Sequence, residues 1–312
     1  MPVKVASEWL NSCSGCEIAI LNLGETLLDL LPELDFVHIP VLMDHKHLGQ
    51  LGDKEHMEIP KATVGLLSGG VRNEEHMEVA LEMRKKCDIL IALGTCATHG
   101  GIPALINSFT NDQLTDRYYG TESTDPKGGE TAASKGCSPL LERCYALDEK
   151  IDVDIYLPGC PPHPDHIAAA ILALLKGETP ELPFKSVCDT CPTIRKGKGD
   201  VKEIKRFVES PEFDPETPID TMRCLLEQGY LCMGPVTRAG CSGAAGEAPK
   251  CISARVPCRG CYGPVKQEGN QLLDMLNALA SNGMDVRDLP DRANLLRFSG
   301  AHNRLVAKKE RK

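Results

Sequence analysis

Fifteen cysteines in a chain of 312 residues constrain the fold more than any other feature. The odd total leaves no closed disulfide framework, and persistent disulfides are rare where thiols are kept reduced, so metal ligation is the reading that explains the number. Sorted by position, twelve of them form three sets of four. The first is Cys13 and Cys16 in Cys13-Ser14-Gly15-Cys16, Cys96 in Gly94-Thr95-Cys96-Ala97-Thr98-His99-Gly100-Gly101, and Cys160 in Pro158-Gly159-Cys160-Pro161-Pro162. The second is Cys188 and Cys191, with Cys224 and Cys232; the third is Cys241, Cys251, Cys258 and Cys261. Cys87, Cys137 and Cys144 are left over.

The length suits a domain of ordinary size plus a smaller unit. Acidic residues outnumber basic ones by 44 to 35, a net charge of -9, which disfavours nucleic acid or an anionic membrane as the main partner. The opening Met1-Pro2-Val3-Lys4-Val5 has no charged n-region or twin-arginine signal, and no apolar run approaches the roughly 18 residues of a spanning helix. The expectation is a soluble, cytoplasmic protein.

Over the first 180 or so residues, short apolar runs alternate with helix-like segments, the pattern of a parallel α/β sheet. Expected strands are Val3-Ala6, Asp35-Val41, Ala62-Leu67, Asp88-Leu93 and Val153-Leu157. One helix is expected to start at Asn73 as cap, with Glu74 and Glu75 in its first turn and Arg84, Lys85 and Lys86 in its last. Another begins at Pro164 and ends at Gly177. Between Tyr118 and Lys135 the composition reads as a long loop. From Pro180 onward, Pro and Gly punctuate the chain and eight cysteines fall between Cys188 and Cys261, so little apolar core is expected there and the fold is expected to depend on metal. After Gly263 a helix over about 267–280 would carry Leu272, Leu273, Leu276 and Leu279 on one face, with a charged tail at 308–312. The expected division is 1–182, 183–264 and 265–312.

Each segment of the first set directly follows an expected strand. Loops at the carboxyl ends of parallel strands share one edge, so three distant segments can supply four thiolates to one group. The glycines let backbone N–H groups approach inorganic sulfide, and the prolines fix the loops without a competing donor. A lone Cys-x-x-Cys also suits a zinc knuckle or a redox dithiol. Here single cysteines are gathered over nearly 150 residues, and Cys160 and Cys191 precede proline, both of which favour iron–sulfur over zinc. Cys87 reads as core; Cys137 and Cys144 fit helix packing or an exposed thiol equally. His45, His47 and His56 share one polar segment without a carboxylate spaced to complete a metal triad. Leu67-Ser68-Gly69-Gly70-Val71 lacks Rossmann spacing and a Walker lysine, and Cys13-x-x-Cys16 stands where a flavin-phosphate loop would lie, so nucleotide and FMN are disfavoured.

These cysteine groups, in this order, resemble the small subunit of nickel–iron hydrogenases, and within that family the gamma subunits of methanogen F420-non-reducing, methyl-viologen-reducing enzymes. The resemblance runs over about residues 1–264. It implies a flavodoxin-like domain followed by a small irregular iron–sulfur domain and a helical C-terminal tail. By that likeness Cys13, Cys16, Cys96 and Cys160 bind a proximal [4Fe-4S] cluster and Cys188, Cys191, Cys224 and Cys232 a distal one. Many relatives have histidine where Cys188 stands. Cys241, Cys258 and Cys261 match medial ligands, and Cys251 occupies a place that is proline in many relatives, which gives three [4Fe-4S] clusters. The implied partners are the nickel–iron large subunit, a small iron–sulfur delta-type subunit, and heterodisulfide reductase as destination of the electrons. No large-subunit signature is present, so hydrogen activation belongs to another chain and no residue here is expected to be catalytic. Glu17 is expected either to face that subunit and assist proton movement or to bond the loop backbone. The alternatives are the gamma subunit of an F420-reducing hydrogenase, the single-cluster subunit of a complex I-like enzyme, and a zinc-stabilised scaffold without redox activity.

Overall fold

The computed structural model describes residues 2–122, 137–197, 201–205, 208, 211–212, 215–289 and 291–307. Seven strands and eight α-helices run in the order β1 (Val3–Trp9), α1 (Gly15–Leu21), α2 (Glu25–Leu30), β2 (Leu34–His38), β3 (Ala62–Ser68), β4 (Val71–Asn73), α3 (Glu74–Lys86), β5 (Cys87–Leu93), α4 (Gly94–His99), α5 (Asn111–Tyr119), β6 (Leu140–Tyr145), β7 (Ile155–Leu157), α6 (Pro164–Leu175), α7 (Lys250–Ser253) and α8 (Gln271–Ser281) among the described residues.

Five strands form one parallel sheet in the order β2-β1-β3-β5-β7. Counted along the chain, the parallel strands lie in the order 2-1-3-4-5 of a flavodoxin-like sheet, as expected. β4 and β6 pair apart from it, antiparallel. Both faces of the sheet are covered, which is why its central strands carry no polar alternation. Val5, Val64, Leu66, Ile91 and Leu93 face Ala19, Ile20 and Ile167 of α1 and α6. Ala6, Leu67, Leu90 and Ala92 face Val79, Ala80 and Met83 of α3.

The helix ends follow the sequence signals. Asn73 accepts the His76 N–H at 2.8 Å to cap α3, and Arg84, Lys85 and Lys86 fill its last turn. Arg84 also reaches Asp154 at 2.5 Å and the Cys87 carbonyl at 2.7 Å, while Asp154 Oδ2 accepts the Leu90 N–H at 2.7 Å. Burial works against this carboxylate's charge, yet Arg84 and the Leu90 N–H together hold its pKa below the usual range. Its stabilisation is present above the unfolded-state pKa and is lost as pH falls through the folded one. Asp154→Ala should lower unfolding stability by about 1–2 kcal/mol, with the loss disappearing in acid; equal loss at all pH values in denaturant titrations would count against this role.

The chain between β2 and β3, residues 39–61, has no helix or strand. Of the loop expected over Tyr118–Lys135, Tyr118 and Tyr119 end α5 and residues 123–136 lie outside the described residues, as does the charged tail at 308–312.

After α6 the backbone proceeds through short 3-10 turns and the four-residue α7 to α8. Contrary to expectation, this half has an apolar core: Val187, Met233 and Val236 pack with Met275, Leu279 and Leu295. The C-terminal segment supplies part of that core, and the cysteine-rich stretch supplies the rest, together with a smaller cluster of Met222, Leu225, Tyr230 and Ile252. α8 begins at Gln271, capped by Asn270, and turns Gln271, Met275 and Leu279 inward. Leu273 points outward, against the expected leucine face, because 3.6-residue periodicity sets it opposite Met275. Buried Gln271 donates to the Gly260 carbonyl at 3.3 Å and accepts from Ser299 at 2.9 Å, tying α8 to the Cys258–Cys261 loop. The segment then returns to the first half, where Ala301 N–H bonds the His99 carbonyl at 3.2 Å.

Candidate metal centres

The first set assembles at the carboxyl edge of the sheet. After β1 the chain turns through Ser14, in the left-handed region at φ 63°, into α1, presenting Cys13 and Cys16. β5 runs directly into the buried α4, which carries Cys96; β7 leads to Gly159 and Cys160. Thr95 locks two of these loops together, its N–H on the Gly159 carbonyl and its hydroxyl accepting the Gly159 N–H, each at 2.9 Å. Burial, then the charges of Glu17, Cys96, Cys160 and Cys13, pushes the Cys16 thiol far up. Burial with Cys160 and Cys13 lifts Cys96 to about 12. All four thiols therefore share one field. Gly94, at φ 84°, makes the approach possible, since a Cβ there would stand 2.3 Å from Cys16 Sγ.

The Leu67–Val71 stretch braces this loop: Gly70 and Asn11 exchange backbone hydrogen bonds at 3.1 and 3.2 Å. Glu17 is buried and accepts from the Ser68 hydroxyl at 2.5 Å, a side-chain partner in place of the expected loop backbone. Its Oε2 has no hydrogen-bond partner among the described residues.

The second set lines a single cavity, with Cys188, Cys191, Cys224 and Cys232 on its wall. Cys224 accepts from the Leu226 and Glu227 N–H groups, and Cys232 from those of Gly234 and Cys258, the last at 3.3 Å. Burial lifts the Cys188 and Cys232 thiols to about 12, Arg195 opposing the rise at Cys188.

The third set includes Cys251. Cys261 is raised to about 12 by burial, then by Cys241, Cys251 and Cys160; Cys258 by burial, then by Cys232, with Cys261 and Cys251 adding. The sets thus stand in series. Thr95, which holds the Gly159–Cys160 loop of the first, donates its hydroxyl to the Cys261 carbonyl of the third at 2.6 Å, and the Cys160 charge is felt at Cys261. Cys258 of the third donates its N–H to Cys232 of the second.

Spacing tests what these sulfurs could hold. Among the described residues no three cysteine sulfurs lie within 4.8 Å of one another. One tetrahedral zinc, with bonds of about 2.3 Å, would draw its sulfurs to about 3.8 Å. Buried thiols supplied with backbone N–H donors, as at Cys224, Cys232 and Cys258, suit iron–sulfur clusters.

Of the remaining cysteines, Cys87 begins β5 in the core, as expected. Cys144 is fully buried, its backbone clamped on both sides by Asn107 at 2.8 Å, and Cys137 is exposed. His47 and His38 converge on Glu8, a cluster the histidine spacing does not reveal because its carboxylate comes from β1.

The fold and these centres define an iron–sulfur subunit of the hydrogenase and quinone-reductase type. A family described as "NADH ubiquinone oxidoreductase, 20 Kd subunit" matches residues 13–174. A vhu subunit of the F420-non-reducing hydrogenase of Methanococcus voltae is 40% identical over 99% of this chain and 98% of its own. The iron–sulfur subunit of the F420-non-reducing hydrogenase of Archaeoglobus profundus is 35% identical over 90% of this chain and 88% of its own. Among solved structures, an NAD+-reducing [NiFe]-hydrogenase in the H2-reduced state aligns with a TM-score of 0.52 and 28% identity, covering 62% of this chain and 99% of that one. The chain belongs to the family of F420-non-reducing hydrogenase subunits that these two relatives represent, and is thereby an oxidoreductase subunit of a hydrogenase. No helix among the described residues is long and apolar enough to cross a membrane.

Proposed function

We propose that this chain conducts electrons from hydrogen oxidation in a nickel–iron large subunit through three [4Fe-4S] clusters to an acceptor subunit of the small delta type, and on to heterodisulfide reductase. Cys13, Cys16, Cys96 and Cys160 hold the proximal cluster, Cys241, Cys251, Cys258 and Cys261 the medial, and Cys188, Cys191, Cys224 and Cys232 the distal. The observation that carries this reading is the series arrangement, with Thr95 joining the Gly159–Cys160 loop to Cys261 and the Cys258 N–H hydrogen-bonded to Cys232 Sγ. When bound, the clusters would accept and release single electrons. The chain's own residues fix their spacing, donate N–H groups to sulfur, and exclude water by burial. The division at 1–182, 183–264 and 265–312 accompanies this reading, with the third part packed into the core of the second. The similarity over almost the whole length to F420-non-reducing enzymes favours this acceptor route over an F420-reducing one.

The test is iron and acid-labile sulfide on anaerobically purified complex, referred to this chain through a parallel analysis of the large subunit. About twelve of each are expected here. Cys251→Ala should leave about eleven irons and give an oxidised-state EPR signal of a three-iron cluster absent from the parent. Unchanged iron and spectrum would remove Cys251 from the ligands, and stoichiometric zinc with no sulfide would overturn the whole reading.

A further inference from the structure

We infer that Glu8, His38 and His47 form a second, separate metal site, of the class that binds zinc and similar divalent ions, clipping the 39–61 segment to the sheet. Glu8 Oε1 lies 2.6 Å from His38 Nε2 and 2.6 Å from His47 Nε2, and the three donor atoms all fall within 4.8 Å of one another. Two imidazoles and one carboxylate are a donor set that zinc accepts, with a fourth position left to water.

The three residues come from three places: the end of β1, the end of β2, and the irregular segment between β2 and β3. The side chains of Glu8 and His38 are wholly buried. Both rings converge on one oxygen, and His38 Nδ1 has no hydrogen-bond partner among the described residues. His45, whose ring lies parallel to that of His38 at 6.0 Å, is committed elsewhere: its Nδ1 accepts the Ile39 N–H at 2.9 Å.

Access comes from the His47 side. That ring is 34% exposed and borders an open cleft lined also by Glu55, His56, Met57 and Glu75. An ion could enter from this cleft, and water could complete its coordination there. The consequence is mechanical. A connection of this length without secondary structure is unusual in a compact domain unless something holds it. A metal bridging Glu8 and His47 fixes the segment to the strand from which the Cys13–Cys16 loop departs. Binding would require each Nε2 lone pair to face the ion, moving the ring proton to Nδ1 or releasing it.

The experiment uses the assembled hydrogenase complex, incubated with Zn2+ and desalted, in parent and His47→Gln forms. The parent should retain one more zinc per copy of this chain than the variant. Its difference zinc K-edge absorption should show N/O ligands at about 2.0–2.1 Å and none at the roughly 2.3 Å of sulfur. His47→Gln should weaken zinc retention at least about tenfold with iron and labile sulfide unchanged, since His47 lies outside the cysteine sets. Glu8→Gln, which keeps the shape, should behave alike. Equal zinc in parent and variants, or a difference spectrum showing sulfur ligation, would overturn the proposal.

Discussion

Gly94→Val is expected to strip the proximal position of its cluster. A Cβ at Gly94 would stand 2.3 Å from Cys16 Sγ, and its φ of 84° already excludes side chains. A branched side chain must displace the Cys16 thiol or the start of α4, at a cost of about 1–3 kcal/mol in packing alone. The larger loss is in ligation, because the added side chain displaces the Cys16 thiol or the start of the helix that carries Cys96, and so misplaces proximal ligands directly. Iron per chain should fall from about twelve to about eight, and the remaining clusters should no longer be reduced under hydrogen although dithionite still reduces them. That contrast distinguishes a broken entry point from a misfolded protein. Full iron with normal reduction under hydrogen would refute the placement of the first set.

Removing the clusters is expected to unfold residues 185–264 while the parallel sheet survives. Among its described residues that stretch holds one four-residue helix and short 3-10 turns, so its backbone hydrogen bonds lie mostly in turns and between loops rather than in regular elements. Ordering costs about 1–2 kcal/mol per residue, and the shared core with α8 is small against that sum. Without iron, the buried thiols, raised to about 12 at Cys188, Cys232 and Cys261, stay protonated, and the metal bonds that tie these distant segments together are lost. Structural zinc sites set the scale of the missing term, at about 10–16 kcal/mol in small domains. After anaerobic chelation, limited proteolysis should cut within 185–264 and spare the segment from β1 to α6, with mass spectrometry locating the cuts. Continued protection of 185–264 in iron-free protein would defeat the expectation.

Much of the fold is legible in the sequence because local rules govern it. The unbroken apolar run of Ile89 to Leu93 announces a covered central strand, and Asn73 with the basic turn at Arg84–Lys86 marks both ends of α3. Residues whose role depends on a distant partner are not legible. The leucine pattern around Leu273 places it inward, yet the buried face of α8 is decided by Val187, Met233 and Val236, which the helix meets only in three dimensions. The core of the second half is hidden from the sequence for the same reason.

By itself, the sequence determined the parallel α/β class and the places of the five sheet strands and of the helices after β4 and β7, since these depend on periodicity and capping along the chain. The tertiary structure alone decided three further things: that the Cys160 charge reaches Cys261 and the Cys258 N–H bonds Cys232, that Glu17 bonds Ser68, and that Glu8 joins His38 and His47. Each depends on strand order and loop closure bringing together groups from 26 to 101 residues apart, a proximity that linear spacing does not encode.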